Sequence, residues 1–378
     1  IERIGVSGAT DDDMGSFHGR LGPILPAPPI GPAATVLHER YRRAAPIADF
    51  SLGLARNALL TIDRSDRRAC DLSLSCLWGC ARGAIYDARY DLLHIGKSPT
   101  FKLVDNCIVT AIDADKSGWR ILTQTGRSLR APRVLLAAGT LGTLRLIAPL
   151  LTERGLSALR LLNSPVQVMP MLVPSRLGRP APQRGYTLAQ LGYALRYTAG
   201  RLDYAAGALY EVAALPPSTF AARLPLGRRA ATELVRTLAS ALMVATTYFP
   251  GSCSDNAVHW RRDGGGIRIS IRGGFAPDFA KIAIDTRRHL ARIFRRLGAW
   301  ALPGATIAPP GIDAHLGGLF PMGLSAQHGT SRYGELNIAP GLFIVDGSAH
   351  PTMPAKFVTL TIMANADRIA RHLAQLRD

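Results

Sequence analysis

The run His315-Leu-Gly-Gly-Leu-Phe-Pro-Met-Gly323 is followed, after a polar loop, by Leu342-Phe-Ile-Val-Asp346-Gly-Ser348, His350-Pro-Thr-Met-Pro354 and an apolar-periodic stretch from Thr359 to Leu376. Read physically, this is a loop carrying one imidazole, then a short buried strand that ends in a carboxylate. A proline-rich turn comes next, and after it a helix whose N-terminus points back at the end of the strand. The carboxyl end of a strand facing a helix N-terminus is where α/β proteins hold phosphorylated or polar cofactors, because the orphan N–H groups and the helix dipole favour negative charge there.

A second strand-to-helix junction lies upstream. Val134-Leu-Leu-Ala-Ala-Gly139 is a continuous apolar strand that runs into small residues, and Thr140 to Ile147 begins a helix. Alanine and glycine remove side-chain bulk, so backbone can approach a ligand closely here. On these residues alone the junction serves equally as a tight packing corner. Before it, Phe101–Ile112, Trp119–Thr125 and Ser128–Ala137 are β-favouring runs separated by the turns Ser117-Gly118 and Thr125-Gly126. Residues 160–305 alternate short β-like runs (Val166–Val173, Ala206–Ala213, Met243–Phe249, Ile267–Ile271) with helical ones. The strongest helix is Pro277–Leu297, with Phe279, Ile282, Thr286, Leu290, Ile293 and Leu297 on one face and arginines elsewhere. A helix is expected over Ala33–Ala44, and Arg56–Ile62 reads as strand or turn. Residues 1–34, with five prolines between 23 and 32, read as extended loop and not as a packed element.

With 378 residues and 47% hydrophobic content the chain has material for two domains or one composite domain. No apolar run reaches membrane-spanning length, and no charged-then-apolar leader is visible, which gives a cytoplasmic expectation. The formal charge is +18, carried almost wholly by arginine, since lysine occurs only at 97, 102, 116, 281 and 356. There is no basic tail, aromatic-interleaved basic strand or zinc-finger spacing, so specific nucleic-acid binding is not expected, whereas nonspecific attraction to anions is. The five cysteines, at 70, 76, 80, 107 and 253, do not suggest a disulfide framework in a chain of this size.

Taken together, the segments at 76–86, 134–145 and 315–370 resemble the glucose–methanol–choline (GMC) oxidoreductases. That family carries a His-x-x-Gly segment, a Val-Asp-x-Ser-x-x-Pro-x-x-Pro segment that opens a final helix, and an Ala-Ala-Gly-x-x-Gly-(Ser/Thr) junction against its flavin; the matching residues here are His315, Asp346–Pro354 and Ala137–Thr143. The resemblance implies an α/β, mixed α+β fold. A partial FAD/NAD(P)-binding Rossmann-like domain (1–160 and 305–378) would accompany an antiparallel-sheet substrate domain with helices on one side (161–304). It implies FAD as cofactor, hydride transfer from a CH–OH group of an alcohol, sugar or polyol to the flavin, His315 as the base, and a final electron acceptor that the sequence does not name. Flavin contacts would come from Val109, Ala138, Gly139, Thr140, Asp346, Gly347 and Thr359, with Thr359 also capping the last helix.

The chain departs from the family in three places. The position where the family sets a second His or Asn is taken by Phe357 or Val358, neither of which hydrogen-bonds an alkoxide. The run Cys70-Asp-Leu-Ser73-Leu-Ser-Cys76-Leu-Trp-Gly-Cys80 looks like a ferredoxin-type cysteine run with Ser73 in place of one ligand. Its three thiols suit a three-iron cluster, a minority reading, or a buried cysteine loop beside the flavin, the favoured one. Last, the sequence contains no Gly-x-Gly-x-x-Gly: Gly5-Val-Ser-Gly8 is not followed by a helix-like run, and Gly264–Gly266 is wrongly spaced. The chain, which begins at Ile1, therefore reads as an N-terminally shortened piece or a degenerate relative, expected to hold FAD poorly. A non-catalytic GMC-like binding or scaffold protein is the second reading.

Overall fold

A computed structural model of the chain describes residues 1–19, 22–197, 204–214, 218, 221–222, 224–264, 266–311 and 315–376. In chain order the elements are β1 (Ser7–Gly8), α1 (Asp13–His18), β2 (Leu25–Pro26), α2 (Pro32–Arg43), β3 (Phe50–Leu54), α3 (Ala88–Ile95), β4 (Val109–Asp115), β5 (Gly118–Thr123), β6 (Ser128–Ala131), β7 (Val134–Leu136), α4 (Thr140–Thr152), β8 (Ala158–Asn163), β9 (Val166–Leu172), β10 (Leu191–Arg196), β11 (Tyr204–Glu211), α5 (Arg228–Leu238), β12 (Leu242–Tyr248), β13 (Asn256–Asp263), β14 (Gly266–Arg272), α6 (Phe279–Arg296), β15 (Trp300–Ala301), β16 (Thr306–Ile307), β17 (Leu316–Gly317), β18 (Leu342–Ile344) and α7 (Thr359–Gln375). Among the described residues no helix is long and apolar enough to cross a membrane.

The chain divides into two compact units. The first comprises 1–102, 167–248 and 281–307, and the second 103–166, 249–280 and 308–378. This division by packing differs from the boundaries expected from sequence, because residues 1–102 group with 167–248 and residues 249–280 group with the C-terminal segment. The breaks near 166 and 307 lie close to the expected 160 and 305.

The first unit is built on a seven-stranded sheet of order β15-β9-β12-β11-β10-β3, with β16 also paired to β9. Strands β3, β10, β11 and β12 pair antiparallel with one another in that order. Strand β9 alternates half-buried and buried residues, the period-2 pattern of a sheet with one packed face. That face meets Leu37 of α2 and Leu290, Ile293, Phe294 and Leu297 of α6 and the residue just beyond it. Phe50, Tyr193 and Phe294 form an aromatic centre, with ring centroids 6.2 Å apart for Phe50–Tyr193 and 5.4 Å for Tyr193–Phe294. Helix α2 is anchored by a carboxylate at its N-terminus: Glu211 accepts from the backbone N–H of Ala33 at 2.7 Å and of Ala34 at 2.8 Å. These donors lie in the first turn and have no partner inside the helix. Burial nevertheless raises the Glu211 carboxyl above its ordinary value, more than those two donors lower it.

Residues 1–34 are not the plain loop expected from their prolines. Strands β1 and β2 pair in parallel, α1 is capped by Asp12, and Ile4, Val6 and Met14 are buried. Asp12 makes this possible, since its carboxylate accepts from Gly15 N–H at 3.2 Å and also from Leu54 N–H at 2.7 Å. Gly53 admits it: a Cβ there would stand 2.2 Å from an Asp12 oxygen.

The second unit holds a four-stranded sheet β14-β13-β8-β17, the three-stranded meander β4-β5-β6, and the parallel pair β7–β18. The single strand expected over Ser128–Ala137 is two strands, β6 and β7, with Pro132 between them. Proline has no N–H to continue the ladder. Its core gathers Ile112, Trp119, Leu136, Leu144, Ile147, Leu161, Trp260, Phe320, Leu342 and Ile344.

Candidate functional site

His315 and the residues expected to contact the flavin lie in the second unit. Strand β7 pairs with β18 in parallel, Val134 with Leu342 and Leu136 with Ile344, so both strands deliver their carboxyl ends to the same side. After β7 the chain emerges at Ala137, Ala138 and Gly139, all exposed. Gly139 has φ +77° and serves as the N-cap of α4 with no side-chain cap. That backbone conformation suits glycine. Nothing lies within 4 Å of a Cβ built there. The first turn of α4 has orphan N–H groups that no side chain caps.

After β18 the chain makes a tight turn held by Asp346. One carboxylate oxygen accepts from the Ser348 N–H at 2.9 Å and from the Ser348 hydroxyl, and the other accepts from the Thr143 hydroxyl at 2.5 Å. Asp346 is 7% exposed, so these bonds act in a medium that makes losing one costly. The carboxylate thus ties the turn after β18 to α4. Thr140 donates its hydroxyl to the Leu316 carbonyl at 2.8 Å, joining β17 to the same helix. Gly317 lies so close to the turn that an added Cβ would be 2.6 Å from the Gly347 carbonyl and 2.8 Å from the Met353 sulfur.

His315 stands just before β17, half-buried, with Phe357 edge-on to it at a ring-centroid distance of 5.8 Å. The structure thus brings together the expected base and the apolar residue that occupies the expected polar position. Thr140, Leu316 and Ile362 of α7 cluster around Gly347, since a Cβ there would meet all three within 4 Å. Thr359 opens α7, yet the N-cap is Val358 and no side-chain cap bond is made, so the expected cap by Thr359 is not found. Val109 shares a cavity of about 950 Å³ beside β7 with Ala138 and Leu141, lined also by Ile108, Leu135 and Arg145. On that side β7 pairs with no strand among the described residues.

Sequence reading missed two features. Thr143, one turn into α4, is the partner of Asp346; the Asp-Gly-Ser spacing signalled the local turn, but nothing local signalled the contact across 203 residues. His350 is 7% exposed, and its Nε2 is buried without a hydrogen-bond partner. Burial holds it below the ordinary histidine value, against the opposing pull of Asp346.

The cysteine run folds in the first unit. Cys70, Cys76 and Cys80 pack against Leu59, Leu60 and Tyr186 as half-buried free thiols. Cys70 Sγ accepts from Leu72 N–H and Cys76 Sγ from Thr187 N–H, each at 3.4 Å. Burial pushes the Cys70 thiol up, away from the thiolate a metal requires. Among the described residues no group of three or more His, Cys, Asp or Glu is arranged to hold a metal ion, which leaves the iron–sulfur expectation without support.

No protein-family model matches the sequence. No curated protein matches it either. Solved structures do share the fold. The chain aligns with pyridoxine 4-oxidase from Mesorbium loti at a TM-score of 0.60 and 15% identity, covering 99% of this chain and 76% of that one. It aligns with an FAD-dependent oxidoreductase from Chaetomium thermophilum at 0.56 and 16% identity, covering 96% and 75%. The mixed α+β architecture expected from the sequence is the architecture of these two structures.

Proposed function

We propose that the chain is an FAD-dependent oxidoreductase that removes hydride from a CH–OH group of an alcohol, sugar or polyol, with His315 as the base. The observation that carries this reading is the junction of β7 with α4. A parallel strand ends in exposed Ala137-Ala138-Gly139 beside an uncapped helix N-terminus, in a fold shared with an FAD-dependent oxidoreductase. The residues present fit one end of such a nucleotide: open space at Gly139, the orphan N–H groups of α4, and the turn at Gly347 held against Thr140. No Gly-x-Gly-x-x-Gly accompanies them in the sequence, so the fit covers one part of a dinucleotide only.

Bound FAD supplies the hydride acceptor. The chain's own part is to hold the hydroxyl at His315, whose imidazole takes the proton as the C–H bond breaks. Phe357 stands edge-on to that imidazole, and its ring offers no hydrogen bond. Asp346 serves as a clamp between α4 and the turn after β18, since three donors already occupy it. Ala138, Gly139, Thr140 and Gly347 remain the proposed cofactor contacts, with Val109 in the cavity that Ala138 also lines.

The contact of Phe357 with His315 also favours a second reading, a non-catalytic protein that keeps the fold. One experiment separates the two. The purified chain is mixed with FAD, its visible spectrum is recorded, and candidate alcohols are added without oxygen. Bleaching of bound flavin, slowed roughly a hundredfold or more in His315→Ala at equal flavin content, supports the enzyme. Absence of flavin binding, or bleaching that His315→Ala leaves unchanged, removes His315 from the reading.

A further inference from the structure

Helix α6 presents a cationic stripe to solvent. From Lys281 onward, Lys281, Arg288, Arg292 and Arg295 are exposed and recur at intervals of seven, four and three residues, which keeps them on one face of a helix about 27 Å long. Elsewhere on the surface, among the described residues, some arginines stand without a carboxylate and others meet one, for example Arg3 with Asp91, Arg120 with Asp113, Arg130 with Asp115 and Arg371 with Asp367. On α6 only Arg288 does so, reaching Asp285 at 3.8 Å. Among the described residues Lys281, Arg292, Arg295 and Arg296 pair with no carboxylate.

Apolar groups are set into this stripe. Trp300, on the edge strand β15, is 53% exposed. With Ala291, Arg292, Arg295 and Ala301 it lines a shallow cavity of about 320 Å³. Ile284, 39% exposed, lies on the same side of α6. The end of α2 adds to the positive field, since the Arg40 guanidinium lies against Gly298 and Arg40, Arg42 and Arg43 all fall in the last turn of α2. Basic residues at helix ends are ordinary dipole partners. Dipole compensation accounts for Arg295 and Arg296 but not for a stripe that begins at Lys281, nor for an indole and an isoleucine left in water.

We propose that this face of the first unit docks on an anionic lipid surface, with the arginines at the phosphate level and Trp300 and Ile284 entering the boundary below it. Clusters of basic residues on an amphipathic helix attract acidic headgroups, and tryptophan settles at the headgroup level because its ring is apolar and its N–H polar. A nucleic-acid partner would use the charges and could stack on Trp300, but it has no use for Ile284. The inference is independent of the flavin reading, because its test measures binding and not turnover.

The full chain is sedimented with phosphatidylcholine vesicles and with vesicles containing about a third phosphatidylglycerol. Salt-sensitive binding to the second alone is expected, with a blue shift of tryptophan emission that Trp300→Phe abolishes. Changing Arg288, Arg292 and Arg295 together to Gln should weaken binding roughly tenfold or more. The charge-matched control Arg120→Gln, Arg130→Gln, Arg371→Gln should keep it, and circular dichroism checks that both fold. Absence of binding to the anionic vesicles overturns the proposal, as does equal loss in the control or an unshifted emission. Retention on duplex DNA in preference to vesicles, lost in the stripe variant, overturns it in favour of nucleic acid.

Discussion

The two units solve the problem of sheet edges differently. In the first, six strands follow one another across the sheet from β15 to β3, and two helices cover one face over a single aromatic-centred core. In the second, β7 has β18 on one side and, among the described residues, no strand on the other. Along that open edge Ile108 and Leu135 are 64% and 44% exposed. Parallel strands are normally buried on both faces, and a two-stranded sheet has little stability of its own. The lesson is that stability and chemistry are unevenly shared. The first unit completes its own packing, while the second keeps an unfinished sheet at the place where the proposed cofactor contacts lie.

The largest test of this contrast is Phe294→Ala. The ring is fully buried and meets Phe50 and Tyr193 edge-on, at 6.0 and 5.4 Å. Its loss should cost about 3–5 kcal/mol in denaturant unfolding; a cost below about 1 kcal/mol would mean that the first unit is not organised on this centre. Next comes a pair on β7. Leu136 is 5% exposed and should cost about 2–4 kcal/mol as alanine, whereas Leu135, pointing to the open edge, should cost under about 0.5 kcal/mol. Equal costs would show that the edge is covered in solution.

Thr143→Val tests the clamp. It keeps the shape of the side chain but leaves one Asp346 oxygen without its donor in a buried place, for about 1–3 kcal/mol, with Thr143→Ser recovering most of it. A neutral result for valine would reduce Asp346 to a local turn residue.

The smallest effect is a pH slope. Burial raises Glu211, so in the folded chain it keeps its proton where the unfolded chain has released it. Stability from this group therefore falls as pH rises above the ordinary value of 4.5 toward the raised folded one. Glu211→Gln, which can still accept from Ala33 and Ala34, should lose that slope and gain on the parent as pH rises. If both proteins follow the same pH curve, the folded value of Glu211 is not raised.

Legibility in the sequence followed the range of the interactions. Helices α2, α4, α6 and α7 were readable because their periodicity is local, and α6 buries Phe279, Thr286, Leu290 and Ile293 as its spacing required. Strand β3 was missed because Gly53 weakens the pattern, and that glycine answers to Asp12, a residue 41 positions away in the chain. The fold of residues 1–34 was hidden for the same reason. At the site, the types of residue were legible and their engagements were not. Asp346 reads as a ligand carboxylate, yet its oxygens are taken by Thr143 and Ser348.

Gly317 bears on how variation in relatives is to be interpreted. A methyl group at this position would run into the Gly347 carbonyl and the Met353 sulfur at once. An alignment would therefore show it unvarying beside His315 whether or not any reaction takes place there. Invariance at Gly317 would report the closeness of two backbone segments, so a retired relative that had lost its chemistry would still keep it. The proposed function places that distinction at position 357 instead, where Phe357 stands edge-on to His315.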